Sequence, residues 1–118
     1  MSETGGGPRA RRSSPELNRL RAEIDELDRR IVVLLNQRAE LTRAVGHEKA
    51  AIGRRAIRDR DREREVLLRV SIANEGPMSQ VDLLAIYRRL IAGARALEIS
   101  ERARLERDVD EPPEPPSA

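Results

Sequence analysis

Five charged residues stand where this sequence would otherwise bury aliphatic side chains. From Leu17 the apolar residues step by three and four through Leu20, Ile24, Leu27, Ile31 and Leu34; the next step is Arg38, and the stripe resumes at Leu41 and Val45. Lys49 lies eleven residues beyond Arg38, about 20° away around an ideal helix, so the two cations share a face. Farther on, Val66, Val70 and Ala73 run back into Glu63 and Asp59, two carboxylates spaced i, i+4. The row Leu84, Tyr87, Ile91 and Ala94 ends at Glu98. A single guanidinium in a seam can lay its stem on apolar neighbours and keep its head in water. Charge in all three stripes is harder to dismiss, because every ion withdrawn from water must be compensated. The pattern points to a polar pocket inside a helical bundle, with long cationic donors suited to a small carboxylate-bearing ligand.

The elements that must hold these residues are helices. The first is predicted from about Pro15 to Ala50, with Ser14 as N-cap and Pro15 at the first helical position. "AIGRRAI" is a loop carrying Gly53. A second helix is expected from Ile57 or Arg58 to about Asn74, where "NEGP" stops it, and a third from Met78 or Ser79 to about Arg107. No strand pattern and no internal repeat is found. The first helix would be about 50 Å long at its predicted length, more than two shorter helices can cover in a chain of 118 residues. Its apolar spacing, held over about four heptads, wants a partner helix. The expected architecture is all-α: three helices per chain, one long and two shorter, in an intertwined helical homodimer. Residues 15–107 form the domain. The Gly/Ser/Arg segment 1–14 and the acidic, proline-rich segment 108–118 have little to bury and are expected to be disordered tails.

Composition excludes several classes. Phe, Trp and Cys are absent and Tyr87 is the one aromatic residue. With 23 basic and 21 acidic residues interspersed, the formal charge is only +2, so the segregated basic face and stacking aromatics of a nucleic-acid binder are missing. No apolar run approaches the roughly 18 residues that span a membrane, and "RARRSS" has no apolar stretch after it to make a secretory signal. The cytoplasm is the expected location. The lone His47 cannot build a histidine metal cluster and reads as an exposed helix residue.

The segments "LRAEIDELDRRIVVLLNQRAELTRAVGHEK", "IRDRDREREVL" and "IYRRLIAGARALE" together resemble the all-helical class of chorismate mutases, over about Leu17 to Glu98. The resemblance implies conversion of chorismate to prephenate on the way to phenylalanine and tyrosine. It assigns Arg38 and Lys49 to the substrate's carboxylates, with Lys49 also reaching the ether oxygen. It makes Arg21 a residue supplied by the other protomer. Asp59 and Glu63 match acidic positions that contact the ring hydroxyl, and Arg62 a supporting arginine. Ala94 stands where many members have a Ser that binds a carboxylate, and Glu98 where many have a Gln that donates to the ether oxygen.

A Claisen rearrangement is unimolecular and needs no nucleophile, metal or cofactor. It needs a compact conformer of a flexible dianion and donors aimed at the oxygen that gains charge. Arg38 and the partner's Arg21 would serve the first need, Lys49 and Glu98 the second. A carboxylate cannot donate, so Glu98 is expected to work protonated, with activity falling as pH rises. Alternatives are an enzyme of the same fold acting on 4-amino-4-deoxychorismate, an isochorismate lyase (disfavoured by "DRDRERE"), and a non-enzymatic helical interaction module. A shikimate-pathway enzyme as partner stays open.

Overall fold

Ser14 Oγ accepts a hydrogen bond from the Leu17 backbone N–H at 3.0 Å, and Pro15 follows as the first helical residue. The hydroxyl satisfies one orphan N–H of the helix start, and proline there lacks a donor that would have had no partner. Helix α1 runs Pro15–Ala51. It ends in a Schellman turn: Gly53, at φ +74°, donates to the Ala50 carbonyl at 3.1 Å, and Arg54 N–H donates to the Lys49 carbonyl at 2.8 Å. Glycine takes this left-handed conformation without the Cβ clash of other residues.

This computed structural model describes residues 12–54 and 58–110, with the Asp110 side chain excepted. Helix α2 spans Arg60–Ala73 and helix α3 Gln80–Asp110; among the described residues there is no strand. Two boundaries differ from expectation. Ile57 lies outside the described residues, and Arg58 and Asp59 precede α2 instead of opening it. Asp59 has an extended backbone (φ −95°, ψ 90°), and its carboxylate accepts from Arg62 N–H at 2.9 Å. It is therefore the N-cap, the position where a short acidic side chain is most stabilising. At the other end α3 continues through Asp108–Asp110, past the predicted stop at Arg107. An i, i+4 ion pair, Arg104 to Asp108 at 3.1 Å, bridges that last stretch.

The α2–α3 connection is built from its own polar residues. Asn74 caps α2 through its N–H to Val70, while its side-chain amide donates to the Met78 carbonyl at 3.0 Å and to Gln80 Oε1 at 2.8 Å. Its Oδ1 accepts from Gly76 N–H, and Gly76 sits at φ +75°. Ser79 then caps α3 by accepting from Asp82 N–H at 3.2 Å. Sequence punctuation and structure agree here because each cap is local.

The chain divides into two units, Met1–Arg38 and Ala39–Ala118. The first is described from residue 12 and holds α1 up to Arg38. Its apolar row is uncovered: Leu20, Ile24, Leu27, Ile31 and Leu34 are between 43% and 61% exposed. Ion pairs such as Arg19 with Glu23 and Arg29 with Glu26 lie on the surface of this helix. The second unit holds the rest of α1 with α2 and α3, and α2 packs on α3. Val66, Val70, Leu84, Tyr87, Ile91 and Ala94 are half-buried there, and no hydrophobic side chain among the described residues is fully buried. No helix among the described residues is long and apolar enough to cross a membrane.

Candidate active site

Gly46 is the buried residue of α1, and the backbone of α3 lies beside it at Glu98. A Cβ built on it would lie 3.7 Å from Glu98 Cα. Without a side chain at this point, the residues on either side reach across. Three residues later, Lys49 Nζ donates to Glu98 Oε1 at 2.7 Å. Both side chains are largely screened from water, at 20% and 23% exposure. Lys49 also belongs to the last turn of α1, where the helix dipole favours a cation, and its carbonyl is held by the Schellman turn. Two residues 49 positions apart in sequence thus form one ammonium–carboxylate pair.

Glu63 and its partners form a second polar centre, on α2 and α3. Arg58 donates to both Glu63 oxygens, Nε to Oε2 at 2.9 Å and Nη2 to Oε1 at 2.9 Å. Arg95 reaches Oε2 from α3 at 3.3 Å. The Arg58 guanidinium holds the Glu63 carboxyl below the usual carboxylate range, against the opposing effect of burial, with Arg95 and Arg60 assisting. Glu63 is therefore an ionised acceptor whose orientation is fixed from α3 and from the segment that precedes α2.

The other predicted residues are placed as follows. Asp59 belongs to the α2 cap rather than to the helix stripe, as given above. Arg62 is exposed and pairs with Glu65 at 3.2 Å, part of a surface run with Arg69. Ala94 is half-buried on α3, one residue before Arg95. Arg21 is exposed and Arg38 half-buried, both on α1 in the first unit. The structure thus joins Lys49 to Glu98, and Glu63 to Arg58 and Arg95.

One cluster goes beyond the sequence reading. Glu101 is the buried charged side chain among the described residues, at 5% exposure. Its Oε1 accepts from Arg104 Nη2 at 2.6 Å and from His47 Nε2 at 2.6 Å, and Arg43 Nε stands 3.4 Å from Oε2. A carboxylate only accepts, so Nε2 is the protonated nitrogen of His47. His47 is exposed as expected but has a partner 54 residues away. The hydrogen bond from Arg104, with those of His47 and the charge of Arg43, lowers the Glu101 pKa to about 2 against the opposing effect of burial. The spacing did carry a trace of this residue: after Ala94 and Glu98, the next 3-4 step along α3 is Glu101.

The family model "Chorismate mutase type II" matches residues 20–109. A bifunctional chorismate mutase/prephenate dehydratase of Aquifex aeolicus (strain VF5) is 37% identical over 87 residues, covering 70% of this chain and 24% of that protein. One of the same name from Stutzerimonas stutzeri is 31% identical over 87 residues, with the same coverage. The chain spans about a quarter of the length of these relatives. With a match that runs over all three helices, the chain belongs to the chorismate mutase type II family.

Proposed function

We propose that this chain is a chorismate mutase, an isomerase that rearranges chorismate to prephenate. The observation that carries the reading, beside the family match, is the Lys49–Glu98 pair held at 2.7 Å beside Gly46. In the rearrangement one ether C–O bond breaks as one C–C bond forms, and every electron stays within the substrate. No proton, metal or cofactor enters. The protein's task is to hold a compact dianion and to meet the charge growing on the ether oxygen with preoriented donors.

Lys49 supplies one such donor. Glu98 supplies a second only as a carboxylic acid, because an ionised carboxyl can only accept. The acid would keep its proton and donate a hydrogen bond to the ether oxygen while Lys49 turns from Glu98 to the substrate. Arg38 binds a substrate carboxylate, and the ionised Glu63, steadied by Arg58 and Arg95, accepts from the ring hydroxyl. Asp59 and Arg62 lie at that same end of α2. Ala94 offers no hydroxyl, so more of the carboxylate binding rests on arginine.

The working unit in this reading is a homodimer in which Arg21 comes from the other protomer. Two facts support it. Arg21 and Arg38 are seventeen residues apart on one helix, about 25 Å along its axis, too far for one small molecule. The row Leu20, Ile24, Leu27, Ile31 and Leu34 is about half exposed, and covering the exposed part of each side chain is worth roughly 1 kcal/mol. An antiparallel second copy of α1 would meet both conditions.

The test is an assay of the purified protein for chorismate loss and prephenate formation, with 4-amino-4-deoxychorismate as competitor. Turnover of chorismate is the expected result. Absence of turnover in a folded protein would leave a helical interaction module, and preference for the amino compound would reassign the substrate.

A further inference from the structure

Glu98 and Glu101 stand one turn apart on α3, and the cations around them are divided between the two with little overlap. Facing them from α1 are Arg43, His47 and Lys49, with Glu40 at its edge. From α3 come Arg95, Arg102 and Arg104, and from the turn after α1 comes Arg54. Lys49 goes to Glu98. Arg43, His47 and Arg104 go to Glu101, Arg43 also touching Glu40 and Arg104 also Asp108. Arg102, one turn beyond Glu98, is drawn to Glu106 at 3.5 Å and donates to the Arg54 carbonyl. Arg95, one turn before it, ends on Glu63.

We propose that Glu101 is a positioning residue for the reaction: it takes up Arg43, His47 and Arg104, and so sets the pH at which Glu98 gives up the proton it donates. The inference rests on the reading of Glu98 as a protonated donor. Arg43, His47 and Arg104 gather on Glu101, one helical turn from Glu98. Without a carboxylate among them their field would favour an ionised Glu98 and draw its oxygens away from Lys49. Burial strengthens the effect, because Glu101 is screened from water and its charge acts through protein as well as solvent. His47 donates through Nε2 to Glu101 in both its neutral and its charged form, so the division of partners does not depend on its protonation.

The experiment is a set of pH–rate profiles of kcat/KM for chorismate, from about pH 4.5 to 9, on the wild type, Glu101→Gln, Arg43→Gln and Glu98→Gln. Removing the negative charge in Glu101→Gln should move the fall in activity to lower pH by about half a unit or more. Removing a positive charge in Arg43→Gln should move it to higher pH. Glu98→Gln should flatten it, since an amide donates at any pH. A merely structural Glu101 would lower Tm and leave the position of the fall unchanged. Profiles of Glu101→Gln and Arg43→Gln that coincide with the wild type, beside a flat Glu98→Gln, overturn the proposal alone. A wild-type fall in Glu98→Gln overturns the reading of Glu98, and the proposal with it. Arg43 is an exposed member of the cluster, so its variant carries the test if Glu101→Gln fails to fold.

Discussion

The ammonium of Lys49 stands 2.7 Å from the carboxylate of Glu98, between the last turn of α1 and the middle of α3. Both groups must be released to a substrate for the proposed reaction, so the pair serves as a stand-in for the interactions made with the ether oxygen. Lys49→Ala removes one of the two donors. Its kcat/KM should fall by about a hundredfold or more, the usual cost of losing one such donor. The helical circular-dichroism signal should persist, because α1 keeps its Schellman end. Near-wild-type turnover would remove Lys49 from the reaction.

Asp59 separates capping from binding. Asn caps a helix as well as Asp does, whereas Ala does not. Asp59→Asn should therefore keep Tm while raising KM, if the carboxylate also meets the substrate. Asp59→Ala should raise KM and cost about 1 kcal/mol of stability as well. Equal KM values for wild type and Asp59→Asn would confine Asp59 to the cap.

Local features of this fold were the legible ones. Ser14, Pro15, Gly53 and Gly76 act within a few residues of themselves, and their types announce a cap, a helix start and two turns. The sequence pattern puts the start of α2 too early because Arg58 and Asp59 fit a helical spacing, while a hydrogen bond from Arg62 N–H makes Asp59 the cap. The interrupted stripes led to Lys49 and Glu98, which do meet. His47 with Glu101 was not legible in the same way: their pairing depends on how two helices approach at Gly46, 54 residues apart in sequence. Arg58 and Arg95 on Glu63 leave no such signal, because neither interrupts an apolar row.

The two glycines of α1 and its end should respond oppositely to alanine. At Gly46 a methyl would sit in ordinary contact with Glu98, 3.7 Å from Cα and 3.8 Å from Cγ. Gly46→Ala should be tolerated and gain up to about 1 kcal/mol of helix propensity. At Gly53 the space is open but φ is +74°, so Gly53→Ala should lose about 1–2 kcal/mol through backbone strain. Denaturant midpoints of the two variants check both signs, and a destabilised Gly46→Ala would mean the α1–α3 approach is tighter than it looks.

Acid should reveal Glu101. Its pKa is lowered from 4.5 to about 2 by Arg104, His47 and Arg43. A carboxyl with a depressed native pKa binds fewer protons folded than unfolded. Its stabilisation is thus complete above about pH 4.5 and lost as pH falls toward about 2. The Tm gap between wild type and Glu101→Gln should be full at neutral pH and close over that window. A gap independent of pH would show that the variant loses packing, not charge.

Sharing of the site between protomers can be tested by complementation. Arg21→Ala and Lys49→Ala chains should each be nearly inactive as homodimers. In a mixed dimer, the Arg21→Ala chain keeps its own Lys49 and receives Arg21 from the other chain, so one site is whole and the other lacks both residues. An equal mixture at random exchange makes half its dimers mixed, and should recover about a quarter of the wild-type rate. Recovery should grow with time as subunits exchange, which native mass spectrometry of isotope-labelled chains can follow independently. Full exchange with no recovered turnover would place Arg21 outside the neighbouring site and remove the reason for linking its distance from Arg38 to a dimer.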